Sequence, residues 1–273
     1  MAQIRGWCKG GREQFIWVGL VRGTRAALDV VGRLFFPPVC LGCRNLVAAP
    51  GTLCSSCWKS LRFIEQPWCP VYGTPFEHEM HDGHLSAEAI ANPPPFDSAR
   101  SAVSYTSIAQ HLVRGLKFGD RTDLAPWMAR WMHRVGEDQF GENAVIVPIP
   151  LHRSRYLKRR FNQSAELGRA LASISGLQFA PQILIRKRMT RQQVGLKASQ
   201  RLKNVQGAFA VPDEAKASLV GRSVVLVDDV YTTGATAFSA SRALKRGGAG
   251  TVHVLTFARV LPEDFAMEDR ELI

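Results

Sequence analysis

Two adjacent carboxylates follow an apolar stretch near the end of the chain. Residues 224–227 are Val-Val-Leu-Val, which is typical of a strand buried on both faces. Asp228 and Asp229 come directly after it, so we expect them at the carboxyl end of the strand, where open α/β sheets bind ligands. Two neighbouring carboxylates need hydrogen-bond donors or positive charge beside them, and sugar hydroxyl groups can donate to both.

A phosphate site is predicted in the next few residues of the chain. The candidate residues are Tyr231, Thr232, Thr233, Gly234, Ala235 and Thr236. Gly234 lets the backbone turn tightly, and free N–H groups at the start of the helix predicted to follow favour a phosphate. Together with the acidic pair, this loop suits ribose 5-phosphate. A buried strand that ends in a solvated turn is the simpler alternative, but it leaves the coincidence of acids, threonines and helix unexplained.

Positive charge is concentrated in one part of the chain. Residues 151–204 contain thirteen Lys and Arg residues and one acid, which equals the net charge of +12 of the whole chain. Such a local field indicates a polyanionic partner, either a multiply charged phosphate ester or nucleic acid. A solvated basic surface is the plainer interpretation. Lys158, Arg159 and Arg160 fit a nucleic-acid patch as well as a phosphate site.

Some residues of this basic segment are candidates for binding a pyrophosphate leaving group. They are Leu151, His152, Arg153 and Arg188. The first three follow a predicted strand at 144–147. Arg188 lies with Arg186, Lys187 and Arg191 in a stretch with few hydrophobic anchors that suits a mobile flap. Breaking an anomeric C–O bond places negative charge on pyrophosphate, which nearby cations and Mg²⁺ stabilise. His152 is a candidate general acid, although a lone histidine is more often structural.

Four cysteines have the spacing of a zinc site. They form two Cys-x2-Cys pairs, Cys40 with Cys43 and Cys54 with Cys57. Two such pairs supply four thiolates to one tetrahedral zinc, and a closed shell of this kind is structural rather than catalytic. Zinc binding is expected to provide most of the folding energy of so small a module.

Cys69 begins what resembles a second, degenerate pair. Tyr72 occupies the position where the partner cysteine would be. Cys69 is a weaker candidate ligand for a second metal, with His78, His81 and His84 as partners; exposed linker residues are the alternative interpretation of these histidines.

The elements that must position these residues alternate between strands and helices from residue 96 onward. Strands are predicted at 101–105, 144–147, 183–185, 224–227 and 251–258, and helices at 108–117, 122–135, 162–174 and from the phosphate loop to about 246. This order predicts an α/β fold with a mostly parallel sheet and helices on both faces.

The rest of the chain divides by composition. We expect an N-terminal extension at 1–36 with a short helix, a zinc-ribbon module at 37–76, a Pro-rich linker at 77–95, the α/β domain at 96–260 and an acidic tail at 261–273. No apolar run reaches the roughly 18 residues that span a bilayer, and the start lacks the pattern of a signal peptide. We therefore expect a cytoplasmic protein without membrane insertion, whose cysteines stay reduced.

The motifs together resemble one known family. In order they read CxxC…CxxC, PIPLHR…RRFNQ, RQQVGL…NVQGAF and VVLVDDVYTTGAT. This order is similar to that of the ComF family of competence-related, zinc-ribbon phosphoribosyltransferase-like proteins, over about residues 33–260. The resemblance implies a type I phosphoribosyltransferase fold in which Asp228 and Asp229 contact the ribose of phosphoribosyl pyrophosphate (PRPP), the loop 231–236 binds its 5-phosphate, and structural zinc and Mg²⁺ take part.

Two functions follow from this resemblance. In the first, the protein is a glycosyltransferase of the pentosyl-transfer class that moves ribose 5-phosphate from Mg-PRPP to an acceptor, linked to DNA uptake or recombination and to nucleotide metabolism. In the second, it is a non-catalytic PRPP-sensing module that binds single-stranded DNA or a helicase partner. An intact acidic pair favours PRPP binding in both, whereas thirteen cations exceed what one PRPP requires. The sequence identifies neither the acceptor nor the oligomeric state.

Overall fold

The computed structural model describes residues 36–78, 83–151, 161–188 and 204–261. The chain divides into two compact units, residues 1–54 and 55–273. The predicted N-terminal helix, and the predicted tail beyond its first residue, lie outside the described residues. The domain boundaries predicted from composition stay predictions.

A five-stranded sheet forms the centre of the second unit. The strands of the chain are β1 (Ser98–Ser104), β2 (Ala144–Pro148), β3 (Gln178–Phe179), β4 (Ile185–Arg186), β5 (Phe209–Ala210), β6 (Ser223–Tyr231) and β7 (Thr251–Arg259). The main sheet has the order β1-β7-β6-β2-β3, and each neighbouring pair is parallel. This confirms the predicted parallel α/β class.

The strand predicted at 183–185 does not join this sheet. Instead, β4 pairs with β5 in a separate antiparallel ladder. Ile183 and Leu184 are buried in the core immediately before it. The apolar run is therefore a core segment of irregular backbone, which periodicity cannot distinguish from a short strand.

Helices cover the sheet. They are α1 (Ser55–Lys59), α2 (Ala87–Ala91), α3 (Ser107–Phe118), α4 (Leu124–Val135), α5 (Gln163–Ser175), α6 (Asp213–Lys216) and α7 (Ala235–Arg246), with a 3₁₀ turn at Glu137–Gln139. Helix α4 packs against α5 and β1, α5 packs against β2 and β6, and α7 packs against β5, β6 and β7. The short α2 lies in the segment predicted to be a linker. No described helix combines the length and apolar character needed to cross a membrane.

Strand β6 is buried on both faces, as its apolar sequence predicts. Val224 and Leu226 belong to one core cluster with Ala240 and Leu244 of α7. Val225 and Val227 alternate with them and are also fully buried.

Strand β6 is also longer than its apolar run. It continues to Tyr231, which pairs with Arg259 of β7, whereas its pairing with β2 stops at Val227. The acidic pair thus lies within the strand, in the part that is hydrogen-bonded on one side only. The prediction placed the pair just after the strand, where the apolar run ends, but pairing with β7 extends the strand to Tyr231.

Candidate ligand cleft and zinc ribbon

A cleft of ≈ 450 Å³ opens beyond the carboxyl ends of β2 and the apolar run of β6. Its polar lining includes Tyr105, Arg114, Lys117, Gln163, Ser164, Arg186, Asp228, Asp229, Thr232, Gly234 and Thr236. The structure therefore brings the predicted acidic pair together with most of the predicted phosphate loop. It adds Arg114 and Lys117 from α3, which the sequence motifs did not include. From the start of α5 it adds Gln163, the last residue of the RRFNQ motif, and Ser164 directly after it.

Asp228 is held by two donors at the floor of the cleft. The hydroxyl of Ser164 donates to its Oδ1 at 2.8 Å, and the backbone N–H of Asp229 donates to the same oxygen at 3.0 Å. Burial and the neighbouring charge of Asp229 raise the pKa of Asp228 to about 7, although Lys117 and these donors act in the opposite direction. The carboxyl group is thus poised between its two protonation states at neutral pH.

Ser164 was missed by the sequence analysis, although a signal for it exists. Asn162 caps helix α5, since its side chain accepts a hydrogen bond from the N–H of Ser164 at 3.1 Å. This cap fixes the helix start immediately beside the acidic pair. An Asn-x-Ser sequence at a helix start that follows a strand next to β6 points to the same crevice.

Asp229 is paired with a lysine. The ammonium of Lys117 lies 2.9 Å from Oδ2 of Asp229, and the side chains are 22% and 5% exposed respectively. Burial would lower the pKa of Lys117. The charge and hydrogen bond of Asp229, with the charges of Asp228 and Tyr105, together outweigh that effect and raise the pKa. Lys117 is at the last turn of α3 and supplies the positive charge that two adjacent carboxylates require.

The phosphate loop requires glycine at its turn. Gly234 has φ = 71° and is the N-cap of α7. A Cβ on it would lie 2.8 Å from Cζ of Tyr231, closer than side chains approach. Ala235 and Thr236 then begin the helix and line the cleft, so the N-terminus of a 12-residue helix faces the cavity. Thr233 is exposed and is not part of the lining.

The predicted pyrophosphate side is only partly described. Leu151 lines the cleft, whereas His152 and Arg153 lie outside the described residues. Arg188 donates to the carbonyl oxygens of Asn204 and Gln206 at 3.0 and 2.8 Å, and so connects the two ends of the segment 189–203. Arg186, which belongs to the same predicted flap stretch, lines the cleft. The pyrophosphate roles of the predicted residues stay predictions.

The first ribbon, residues 39–57, brings its four cysteines together. The sulfur atoms of Cys40, Cys43, Cys54 and Cys57 all lie within 4.8 Å of one another. Burial would raise the pKa of Cys40, but the N–H groups of Cys54, Cys43 and Gly42 outweigh it and lower the pKa to about 6. Four thiols at this separation fit tetrahedral zinc, and the donor set leaves no open position. The predicted structural zinc site is thus supported.

Cys69 has a different environment. Its sulfur accepts hydrogen bonds from the N–H and hydroxyl of Ser86, each at 3.4 Å, and from the N–H of Tyr72 at 3.5 Å. Among the described residues the four-cysteine cluster is the one group close enough for a metal, and Cys69 is not in it. His81 lies outside the described residues.

Fold and site together define a class of protein. A parallel sheet of this order carries an acidic pair on its central strand, followed by a glycine turn into a helix that faces the same cleft. This is a type I phosphoribosyltransferase-like fold, and a zinc ribbon precedes it in the chain.

Comparison with known sequences identifies the family. A model of the double zinc ribbon domain matches residues 31–88. The chain is 32% identical to the DNA utilization protein YhgH of Salmonella typhimurium over 236 residues, which cover 84% of this chain and 100% of that protein. It is 29% identical to competence protein F of Haemophilus influenzae, over 82% of this chain and 98% of that one. A third relative, competence protein ComFC of Bacillus subtilis, is 28% identical over 76% of this chain and 84% of its own length. The chain belongs to the ComF family of competence and DNA-utilization proteins.

Solved structures show a more distant likeness. The allosteric regulatory enzyme of purine biosynthesis matches with a TM-score of 0.34 and 19% identity, over 53% of this chain and 30% of its own. Likeness at this level identifies no function.

Proposed function

We propose that the cleft binds Mg-PRPP and that the protein transfers ribose 5-phosphate from it to an acceptor. The observation that carries this proposal is the arrangement within one cleft: an acidic pair on β6, and a helix N-terminus behind the Gly234 turn. Carboxylates accept hydrogen bonds from the vicinal hydroxyls of a ribose, and helix N–H groups bind its 5-phosphate. Both halves of one ligand are thereby matched by residues adjacent in sequence.

The acidic pair supplies more than hydrogen bonds. When the anomeric C–O bond breaks, pyrophosphate leaves with the electron pair and the sugar carbon becomes positive. Ionised carboxylates near the sugar stabilise that positive charge, whereas cations near the leaving group stabilise the negative one. The acceptor's nucleophilic atom then bonds to the anomeric carbon and loses its proton. Mg²⁺ is part of the substrate and neutralises the pyrophosphate oxygens.

Lys117 balances the negative charge of the acidic pair in the cleft. Its ammonium neutralises Asp229, which is 5% exposed and would otherwise be a costly buried charge. An incoming ribose would donate hydroxyl protons to the same carboxylate. Lys117 would then be released toward the leaving-group side of the ligand, where the pyrophosphate offers its ammonium a new negative partner.

Isothermal titration calorimetry with Mg-PRPP tests the proposal. The wild type should bind, and the Asp228→Asn/Asp229→Asn variant should lose binding while keeping its circular dichroism spectrum. The matched control is Asp213→Asn/Glu214→Gln, which removes two adjacent acids from α6, away from the cleft lining. A folded wild type that does not bind Mg-PRPP would overturn the proposal. If binding is found, release of pyrophosphate with candidate acceptors tests transfer.

A second candidate function is a PRPP-sensing module that binds single-stranded DNA or a helicase. The charge of residues 151–204 favours it, because thirteen cations exceed the needs of one PRPP. The names of the relatives, which refer to DNA utilization and competence, agree with a nucleic-acid partner. Binding of Mg-PRPP without pyrophosphate release with any acceptor, joined to salt-dependent DNA binding, would favour this second function.

A further inference from the structure

We infer that the second ribbon, residues 68–89, has lost its metal and now supports the phosphate loop through Tyr72. This inference rests on the proposed function for its consequence in PRPP binding, but its structural part is independent of it. The backbones of the two ribbons provide the first observation.

The first turn of each ribbon has the same hydrogen bonds. The N–H of Cys40 donates to the carbonyl of Asn45 at 2.7 Å, and the N–H of Cys69 donates to that of Thr74 at 2.9 Å. The fifth residues of the turns, Arg44 and Gly73, share φ = 65°. Antiparallel bridges flank both turns, between residues 39 and 46 and between residues 68 and 75. Cys69 and Tyr72 therefore occupy the positions of Cys40 and Cys43.

The second half of each ribbon also matches. The N–H of Cys54 donates to the sulfur of Cys40 at 3.2 Å, and the N–H of Ser86 donates to the sulfur of Cys69 at 3.4 Å. A five-residue helix follows in each case, α1 and α2, with one buried residue at its centre. That residue is Cys57 in α1 and Ala89 in α2. Ser86 and Ala89 therefore stand at the positions of Cys54 and Cys57.

The four ligand positions of the second ribbon thus hold Cys69, Tyr72, Ser86 and Ala89. One thiol remains, and structural zinc sites require four ligands. The hydroxyl of Ser86 donates to the Cys69 sulfur at 3.4 Å, so hydrogen bonds join the two halves where the first ribbon uses a metal.

Tyr72 stands at a ligand position but packs in the core instead of binding a metal. Its side chain is 1% exposed, and its hydroxyl donates to the carbonyl of Asn92 at 2.8 Å. The ring lies edge-on to Phe96 at 5.7 Å and stacks with Phe238 at 6.4 Å. Phe238 is in the first turn of α7, whose N–H groups face the cleft. The former ligand position therefore supports the helix to which the phosphate site belongs.

The backbone of Tyr72 provides a second connection to the loop. Its carbonyl oxygen accepts a hydrogen bond from the buried guanidinium of Arg259, which lies over the ring of Tyr231 at 4.4 Å. The ring of Tyr231 in turn lies against Gly234, at the turn of the loop, where a Cβ would clash with it. Tyr72 is thus connected to the loop by two routes, through Phe238 and through Arg259. It is a positioning residue rather than a catalytic one.

Metal analysis tests the first half of the inference. Purified protein should contain one zinc per chain; Cys40→Ser should reduce it to none, and Cys69→Ser should leave it at one. Two zinc ions per chain, or loss of zinc in Cys69→Ser, would overturn it.

Hydrogen–deuterium exchange of the unliganded protein tests the second half. Tyr72→Leu should increase exchange of the amides at 232–238, whereas Tyr72→Phe keeps both ring contacts and should not. Ser86→Ala is the matched control, because it weakens the same ribbon without touching the aromatic contacts. Mg-PRPP affinity should fall about tenfold in Tyr72→Leu alone, the effect expected when two aromatic interactions are removed.

The outcomes separate the two proposals. Faster loop exchange in a protein that does not bind Mg-PRPP would end the proposed function and keep this inference. Normal loop exchange in Tyr72→Leu, or equal changes in Tyr72→Leu and Ser86→Ala, would overturn this inference whether or not PRPP binds.

Discussion

The ammonium of Lys117 lies 2.9 Å from Oδ2 of Asp229, so the end of helix α3 is tied to the central strand of the sheet. The ammonium of Lys117 compensates part of the negative charge that two adjacent acids place in a buried strand. The ion pair also places a cation of the protein itself beside the acidic pair that lines the cleft.

Replacing Lys117 should therefore destabilise the protein in a pH-dependent way. In Lys117→Met, Asp229 loses its partner, and breaking a buried pair costs about 3–5 kcal/mol when both groups are fully desolvated. Lys117 is 22% exposed, so we expect a smaller loss, about 1–3 kcal/mol at pH 8. The loss should be smaller at pH 5, because Asp228, whose pKa is raised to about 7, is then protonated and no longer attracts the cation.

Urea unfolding at the two pH values measures this effect. The matched control is Lys216→Met, which removes a lysine from an exposed pair with Asp213 and should change stability little at either pH. An equal loss at pH 5 and pH 8 would show that the charge of Asp228 adds nothing to the stabilisation by Lys117.

The sequence predicted the parts of the site that are local. The apolar run of β6, the acidic pair and the Gly234 turn are contiguous, and each has a physical signature. Lys117 and Ser164 could not be predicted in the same way, because each meets the acidic pair only through packing of α3 and α5 on the sheet. The sequence also did not show that Ser86 and Ala89 stand at the positions of Cys54 and Cys57. The loop that joins the two halves of a ribbon has a different length in each, so the spacing of the first ribbon does not lead to these residues.

Asp228 leads to a second prediction, on the pH dependence of stability. Its pKa is raised to about 7 in the folded protein, whereas an unfolded Asp titrates near 4. Between these values the folded state holds the proton and the unfolded state does not, so the contribution of Asp228 to stability falls as pH rises from about 4 to 7 and is constant above.

Asp228→Asn should remove the fall in stability between about pH 4 and pH 7. The variant should be more stable than the wild type at pH 8, by up to about 4 kcal/mol for a shift of about three units, and the gain should vanish near pH 4. Urea unfolding across this range measures the difference. Asp213→Asn is the comparison, because the hydrogen bond and charge of Lys216 lower the pKa of Asp213 and this variant should show no such gain. A gain for Asp228→Asn that is the same at pH 4 and pH 8 would contradict the assignment.

Gly234 and Gly176 allow strain to be separated from crowding. Both have positive φ, 71° and 74°, but a Cβ would meet Tyr231 at Gly234 and nothing within 4 Å at Gly176. Each alanine variant should lose about 1 kcal/mol of stability from the backbone conformation. Gly234→Ala should lose more stability than Gly176→Ala. It alone should bind Mg-PRPP more weakly than the wild type. Calorimetry and thermal unfolding of both variants decide the matter: equal effects would mean that the close approach to Tyr231 has no consequence.

The basic segment gives the last prediction, because its two candidate partners respond differently to the same change in charge. Arg159→Ala/Arg160→Ala and Arg242→Ala/Arg246→Ala remove equal charge, the second pair from the exposed side of α7. If the segment binds single-stranded DNA, the first variant should weaken binding and reduce the slope of log affinity against log salt by about 0.7 for each phosphate that is no longer neutralised. If it holds pyrophosphate, Mg-PRPP affinity should fall instead and DNA binding should match that of the α7 variant. Fluorescence anisotropy with a labelled oligonucleotide and calorimetry with Mg-PRPP distinguish the two. Unchanged affinity for both ligands would leave the segment as a solvated basic surface.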